Sequence, residues 1–296
     1  MVSISDPQPG CQVFFFGRRS RRHDRMALMD RMRGDMTEDA EWQSFTNFAE
    51  RSGAPFPQPA DGAAAVVILV CGQMAAGGVL SFFGKLSGYF PSRGWGPPDM
   101  AAQALASVLV LTLLLAYFRA VRGASLRDMG LWSHGIGRDA LRGLGYAVAA
   151  FVLGAAVTIA FWAVVMIAAQ AFGVPGEAVE NFLLKSVARE QETARGVMNA
   201  LGILVAVCAA PFIEELVFRG ALFRGLRRAV SFRISAAASA AVFTALHFYV
   251  AGAPMIFVMG LASAWTVERR RSIMPALFMH AFWNLRVFAV LWPHRL

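Results

Sequence analysis

Two adjacent carboxylates stand where carboxylates are rare. Of the 19 acidic residues, 17 lie in loops, in a polar arm or at the edges of apolar runs; Glu214 and Glu215 sit well inside the apolar run 206–218. An ionisable side chain in a membrane span costs about 2.5–3.5 kcal/mol on insertion scales, so each is a functional candidate by default. Arg219 follows Glu215 by four residues, on the same face of a helix, and can neutralise it. Glu214 points about 100° away around the helix and has no such local partner. Of the five histidines, only His247 and His280 fall within apolar runs. Phe243 precedes His247 by four residues, and Asn284 follows His280 by four. Three apolar segments thus each present polar groups on one face, in a bundle that must bury them.

This set suits activation of water. Neither Cys208 nor Ser263 has an identifiable basic partner in the sequence, which disfavours a covalent nucleophile. Glu214, assisted by His247, could take a proton from water, while His280 and Asn284 donate hydrogen bonds to the oxyanion of a scissile carbonyl. An alternative reading gives Glu214, His247 and His280 to a Zn²⁺ ion with one position open for water. The chain has no His-Glu-x-x-His helix, so the common zinc-protease signature is missing. Both versions end in peptide hydrolysis. Pro211, three residues before Glu214, is expected to bend the helix there.

The elements that must carry these residues follow from composition. The chain has 296 residues, 57% hydrophobic and 16% charged. Soluble domains average about 45–50% apolar and about 25% charged. The composition excludes a disordered chain, a disulfide scaffold and an ordinary soluble enzyme, and leaves an all-α, polytopic membrane bundle. Seven spans (six to eight) are expected, at about 62–83, 101–119, 144–172, 197–218, 234–250, 254–268 and 273–292. The third is long enough to tilt or break. The stretch 173–195 carries four glutamates and is not counted. Residues 1–60 hold eight arginines and no long apolar run, and read as a basic, largely disordered cytoplasmic arm. Residues 61–195 then form N-terminal spans, and 196–293 carry the candidate site. Cys71 and Cys208 read as small buried hydrophobes.

A net charge of +9 would suggest nucleic acid in a soluble protein. Here it points to basic loops on an anionic leaflet, and no nucleic-acid partner is expected. With the N-terminus in the cytoplasm, 20 of the 28 basic residues fall in inside segments and six outside. A multi-pass protein of the inner membrane, N-terminus inside, is therefore expected. One geometric demand remains. At 1.5 Å per residue, His247 lies ~20 Å from residue 234, deeper than Glu214 or His280 from their own helix ends. The fifth helix should then start late, near Ala238, with residues 231–237 along the interface.

Glu-Glu-x-x-x-Arg at Glu214, Glu215 and Arg219, Phe-x-x-x-His at Phe243 and His247, and His-x-x-x-Asn at His280 and Asn284 together resemble the three motifs of the CPBP intramembrane proteases. These are also called the CAAX prenyl protease 2, Ras-converting-enzyme-like or Abi family. The resemblance covers about residues 197–292. It implies a four-helix catalytic core opening toward the cytosol. It also implies Glu214 as water-activating base assisted by His247, His280 with Asn284 as oxyanion hole, and Glu215 and Arg219 in support. The family is read both as zinc-dependent and as metal-free, and both readings stay open here, as does the cofactor. The partner implied is a peptide or protein substrate arriving from the membrane or cytosol. Members have also been assigned roles as membrane scaffolds or bacteriocin self-immunity proteins. A proton-coupled transporter using the two glutamates is a further alternative. The high Ala, Gly and Arg content suggests a GC-rich bacterium, where prenylated substrates are not expected.

Overall fold

The computed structural model describes residues 57–86, 97–133, 135–196 and 199–291. Contacts divide the chain after residue 48, and every described residue belongs to the second unit, Ala49–Leu296. The basic arm expected over 1–60 falls almost wholly outside the described residues. Among the described residues there is no strand.

Among the described residues eight helices follow in order. They are α1 (Pro59–Leu86), α2 (Pro97–Ala116, continued by a π-helical turn, Tyr117–Val121), α3 (Ile136–Ala171), α4 (Gly176–Gly196), α5 (Ala200–Arg227), α6 (Phe232–Ala245), α7 (Ala253–Arg270) and α8 (Met274–Leu291). Each of the seven expected spans overlaps a helix, though the fifth, 234–250, runs five residues past the end of α6. Four segments are long and apolar enough to cross a membrane: Pro59–Val79, Ala101–Val121, Ile136–Ala171 and Ala200–Arg227. The protein is thus an all-helical, multi-pass membrane bundle. The polar stretch after α3 is a helix too, α4, and is not one of the four.

Packing explains several of these elements. The buried residues of α3 are Asp139, Gly143, Ala147, Ala150 and Gly154, a stripe at helical spacing whose apolar members are all small. Small residues let backbones approach closely where no hydrophobic effect drives helices together. A Cβ built on Gly143 would lie 2.5 Å from Phe278 Cβ and 2.8 Å from the Met279 nitrogen. α3 therefore lies against α8 and α7, while its large side chains, such as Phe161 and Ile167, face outward. The first turn of α1 holds Asp61, which is buried; its carboxylate takes the Gln58 N–H at 2.7 Å, the Tyr117 hydroxyl at 2.8 Å and Arg122 Nε at 2.9 Å. That one side chain caps α1 and ties it to the end of α2.

Three basic segments assigned to one membrane face by charge meet at one end of the bundle. Arg224 donates to the Asp128 carbonyl at 2.7 Å, Arg227 pairs with Glu268 at 3.2 Å, and Trp132 Nε1 donates to the Arg271 carbonyl at 3.0 Å.

Some expectations change. The third span has no break: α3 runs 36 residues from Ile136, well before 144. α6 does not start near Ala238 but at Phe232. For Glu214 the depth conflict is resolved on the other side, because α5 continues past Gly220 to Arg227, while His280 stays near its own helix start at Met274. Glu214 is then 13 residues from its helix end, roughly 20 Å at α-helical rise, which matches His247. Cys71 and Cys208 are exposed, not buried. In a bundle whose surroundings are apolar, a small apolar residue gains little by facing inward.

Replacing Gly143 with Val is expected to separate α3 from α8 and destabilise the fold by about 1–3 kcal/mol. Thermal unfolding of the detergent-extracted protein should show a lower midpoint, whereas Gly145→Val, where nothing lies within 4 Å, should leave it unchanged.

Candidate active site

The site is built on a helix that is not regular. Within α5, α-helical Ala200–Leu204, Ala210–Glu215 and Arg224–Arg227 alternate with π-helical Val205–Ala209 and Leu216–Phe223. Such π segments occur frequently at functional sites. The first one precedes Pro211, so the expected bend takes the form of a widened turn. There the Ala210 N–H bonds the Val205 carbonyl, leaving the Ala206 carbonyl without its usual α-helical donor. Asn284 Nδ2 supplies the missing hydrogen bond at 2.8 Å. In the second π segment, the Ser239 hydroxyl donates to the Phe218 carbonyl at 3.0 Å.

Glu214 and Glu215 diverge as their spacing predicts. Glu215 is fully buried. Its Oε1 lies 3.4 Å from Arg219 Nη1, accepts from His280 Nδ1 at 3.1 Å and from the Ser263 hydroxyl at 3.4 Å. Arg219, also fully buried, donates to the Gly260 carbonyl at 3.1 Å and lies over the Phe243 ring at 4.6 Å. Gly260 permits this: a Cβ there would lie 2.9 Å from Ala240 Cβ. α5, α6, α7 and α8 therefore meet at one ion pair.

Glu214 faces a different environment. Its Oε2 is buried without a hydrogen-bond partner. His247 Nε2 lies 3.9 Å from it and His280 Nε2 3.7 Å. Both separations exceed a direct hydrogen bond. The tautomers follow from the other ring nitrogens. A carbonyl can only accept, so His247 Nδ1–H donates to the Phe243 carbonyl, 2.8 Å away. An ionised carboxylate likewise only accepts, so His280 Nδ1–H donates to Glu215. A neutral ring then turns an Nε2 lone pair toward Glu214 Oε2. Three acceptors converge, and they are reconciled by a proton on one of them or by the hydrogens of a shared molecule.

The rings are held firmly. Phe243 contacts His247 and His280 at centroid distances of 4.4 and 5.7 Å. His247 itself lies in the turn just beyond α6, followed by Phe248 at φ +51°. Positive φ is uncommon outside glycine, and strained residues of this kind cluster at functional sites. Beside Glu214 and His247 a cavity of about 580 Å³ opens against α1, whose Leu69, Val70, Gln73 and Met74 form its far wall.

The site residues expected from sequence thus gather, with one difference. Asn284 spends one N–H on Ala206 rather than facing Glu214 directly; its amide nitrogen carries a second hydrogen. Among the described residues no group of three or more His, Cys, Asp or Glu is arranged to hold a metal ion. Sequence reasoning weighed Ser263 only as a nucleophile and missed its hydrogen bond to Glu215, as it missed Gly260 and the α1 wall. A Gly-x-x-Ser pair on one face of an apolar helix was a weak signal for the first two. Nothing in the sequence pointed to α1.

Residues 196–286, about a third of the chain, match the family model described as Rce1-like: type II CAAX prenyl endopeptidase Rce1-like. A Rce1-like endopeptidase domain lies there. It runs through all three motifs, from before α5 into α8, so the four helices that meet at Glu215 fall in the Rce1-like domain, while α1 and α3 lie outside it. No curated protein and no solved structure matches the chain. The family description and the apolar helices together support a multi-pass membrane protein of endopeptidase type.

Removing one partner of a buried ion pair costs about 3–5 kcal/mol, because the other charge is stranded. Arg219→Leu is therefore expected to abolish most folded protein in detergent extracts. The double change Arg219→Leu with Glu215→Leu should recover part of it, read as the monodisperse peak in size-exclusion chromatography.

Proposed function

We propose that this protein is an intramembrane endopeptidase in which Glu214 activates water against a peptide carbonyl. The observation that carries this reading is the convergence of two imidazole Nε2 atoms on the unpartnered Oε2 of Glu214 beside an apolar cavity. A water between these acceptors would donate one hydrogen to Glu214 and one to His247. Glu214 then takes a proton as the water oxygen attacks the carbonyl carbon. The oxyanion accepts from His280 Nε2–H, this ring being the one of the three acceptors that carries the reconciling proton from the outset and keeps it throughout, and from the second N–H of Asn284. Glu215, itself balanced by Arg219, supports the positive charge on His280. Collapse breaks the C–N bond, and Glu214 returns its proton to the leaving amine. Water and peptide become an acid and an amine, with nothing left over.

The substrate class follows from the walls. An apolar cavity reaching α1 suits a membrane-associated peptide or protein segment. The three basic segments at one end support a reading in which that end faces the cytoplasm by the positive-inside rule, the chain lies in the inner membrane and its N-terminus is inside. In the zinc alternative Glu214, His247 and His280 would hold the ion, which would activate the water in place of a free carboxylate; no step here runs through a metal.

Cleavage of membrane-anchored peptides by purified protein tests the reading. Glu214→Ala, His247→Ala and His280→Ala should each lower the rate by about 10²–10⁴. Asn284→Ala should cost at most about 10²–10³. Wild-type rates in the Glu214 and His280 variants would refute the peptidase. Elemental analysis separates the mechanisms: active protein should carry no stoichiometric zinc and resist chelators, and one zinc per chain with chelator-sensitive turnover would overturn the metal-free version.

A further inference from the structure

A second concavity shares no lining residue with the cavity beside Glu214. It measures about 380 Å³ and is lined by Trp132, Arg138, Arg142, Arg269, Arg270 and Arg271. Five guanidiniums therefore border one pocket at the basic end of the bundle. Two carboxylates, Asp139 and Glu268, stand beside these five arginines. Asp139 lies 3.6 Å from Arg142 and also accepts from Ser133; Glu268 lies 3.9 Å from Arg271 but is shared with Arg227. α3 begins at this pocket with Gly135 as N-cap and no side-chain cap, adding the partial positive charge of a helix N-terminus.

The pocket is preformed. Trp132 Nε1 donates to the Arg271 carbonyl at 3.0 Å, Ile273 N–H to the Gly130 carbonyl at 2.9 Å, and the Ser272 hydroxyl to the Trp132 carbonyl. The loop before α3 is thereby fixed to the turn between α7 and α8. Its depth is marked by aromatic residues. Arg270 donates to the Tyr146 hydroxyl at 3.0 Å, and Tyr146 packs edge-on against the exposed Trp265 at 5.6 Å. Tyr and Trp concentrate at headgroup level, where an apolar ring and a polar tip are both accommodated.

We propose that this pocket binds the phosphate headgroup of an anionic phospholipid. Guanidinium forks match phosphate oxygens in pairs, and basic pockets between membrane helices take anionic headgroups. The aromatic pair sets the site at the depth where a lipid phosphate lies rather than in open solvent. Binding there would clamp α3 to the α7–α8 turn. This inference does not depend on the peptidase reading.

Native mass spectrometry of the full chain, extracted with equal phosphatidylglycerol and phosphatidylcholine, tests it. Wild type should retain phosphatidylglycerol preferentially. Arg269→Gln with Arg270→Gln should lower retention at least tenfold. Arg119→Gln with Arg127→Gln, basic residues outside the pocket, should leave it unchanged. Should the first double variant fail to fold, Arg269→Glu at an exposed position carries the same expectation. Equal retention of the two lipids, or equal losses in pocket and control variants, would overturn the proposal. Displacement of the lipid by the same concentration of glycerol 3-phosphate would assign the pocket to a soluble phosphate ester instead, which also overturns it.

Discussion

A carboxylate fully removed from solvent must be answered by opposite charge and hydrogen bonds, and Glu215 is answered from three other places. Arg219 supplies the charge from the same helix, His280 a ring N–H from α8 and Ser263 a hydroxyl from α7. Arg219 in turn needs the Gly260 carbonyl and the face of Phe243 on α6. None of these groups can be moved without stranding another. The network therefore sets the relative positions of four helices, and in doing so aims His280 Nε2 at Glu214. Glu215 holds the architecture, and the chemistry proposed above falls to its neighbour.

The backbone of α5 is adapted to the same end. Two π-helical turns bracket the glutamates, and side chains from other helices satisfy the carbonyls they disturb. In a bundle surrounded by lipid, an unanswered carbonyl costs several kcal/mol, on the order of a lost hydrogen bond in hydrocarbon. Asn284 thus carries a structural duty toward Ala206 alongside the role proposed for its second N–H. Away from the site, close approach rather than polarity governs packing. The small-residue stripe of α3 against α8 and α7 shows this, as does the outward direction of its large apolar side chains.

The Rce1-like domain accounts for the polar machinery but not for the cavity that it borders. Leu69, Val70, Gln73 and Met74 come from α1, outside the matched residues. Substrate selection and catalysis would then reside in different parts of the chain, joined because α1 packs on the second π segment of α5.

The sequence by itself determined the membrane class, the helical positions of the apolar runs, and the candidate residues that the fold brings together. The reason is that apolar length and the cost of intramembrane charge are local properties, readable at Glu214, Glu215, His247 and His280 without knowing their neighbours. Pairing at i, i+4 was also legible, as in Glu215 with Arg219. What only the tertiary structure decided depends on contacts between distant segments. These include the hydrogen bonds of Ser263 and Asn284, the approach of Gly260 to Ala240, and the wall supplied by α1. The helix ends belong here as well. α6 begins at Phe232 and α5 continues to Arg227 because packing on α7 and the Arg227–Glu268 pair extend them, and neither partner is adjacent in sequence.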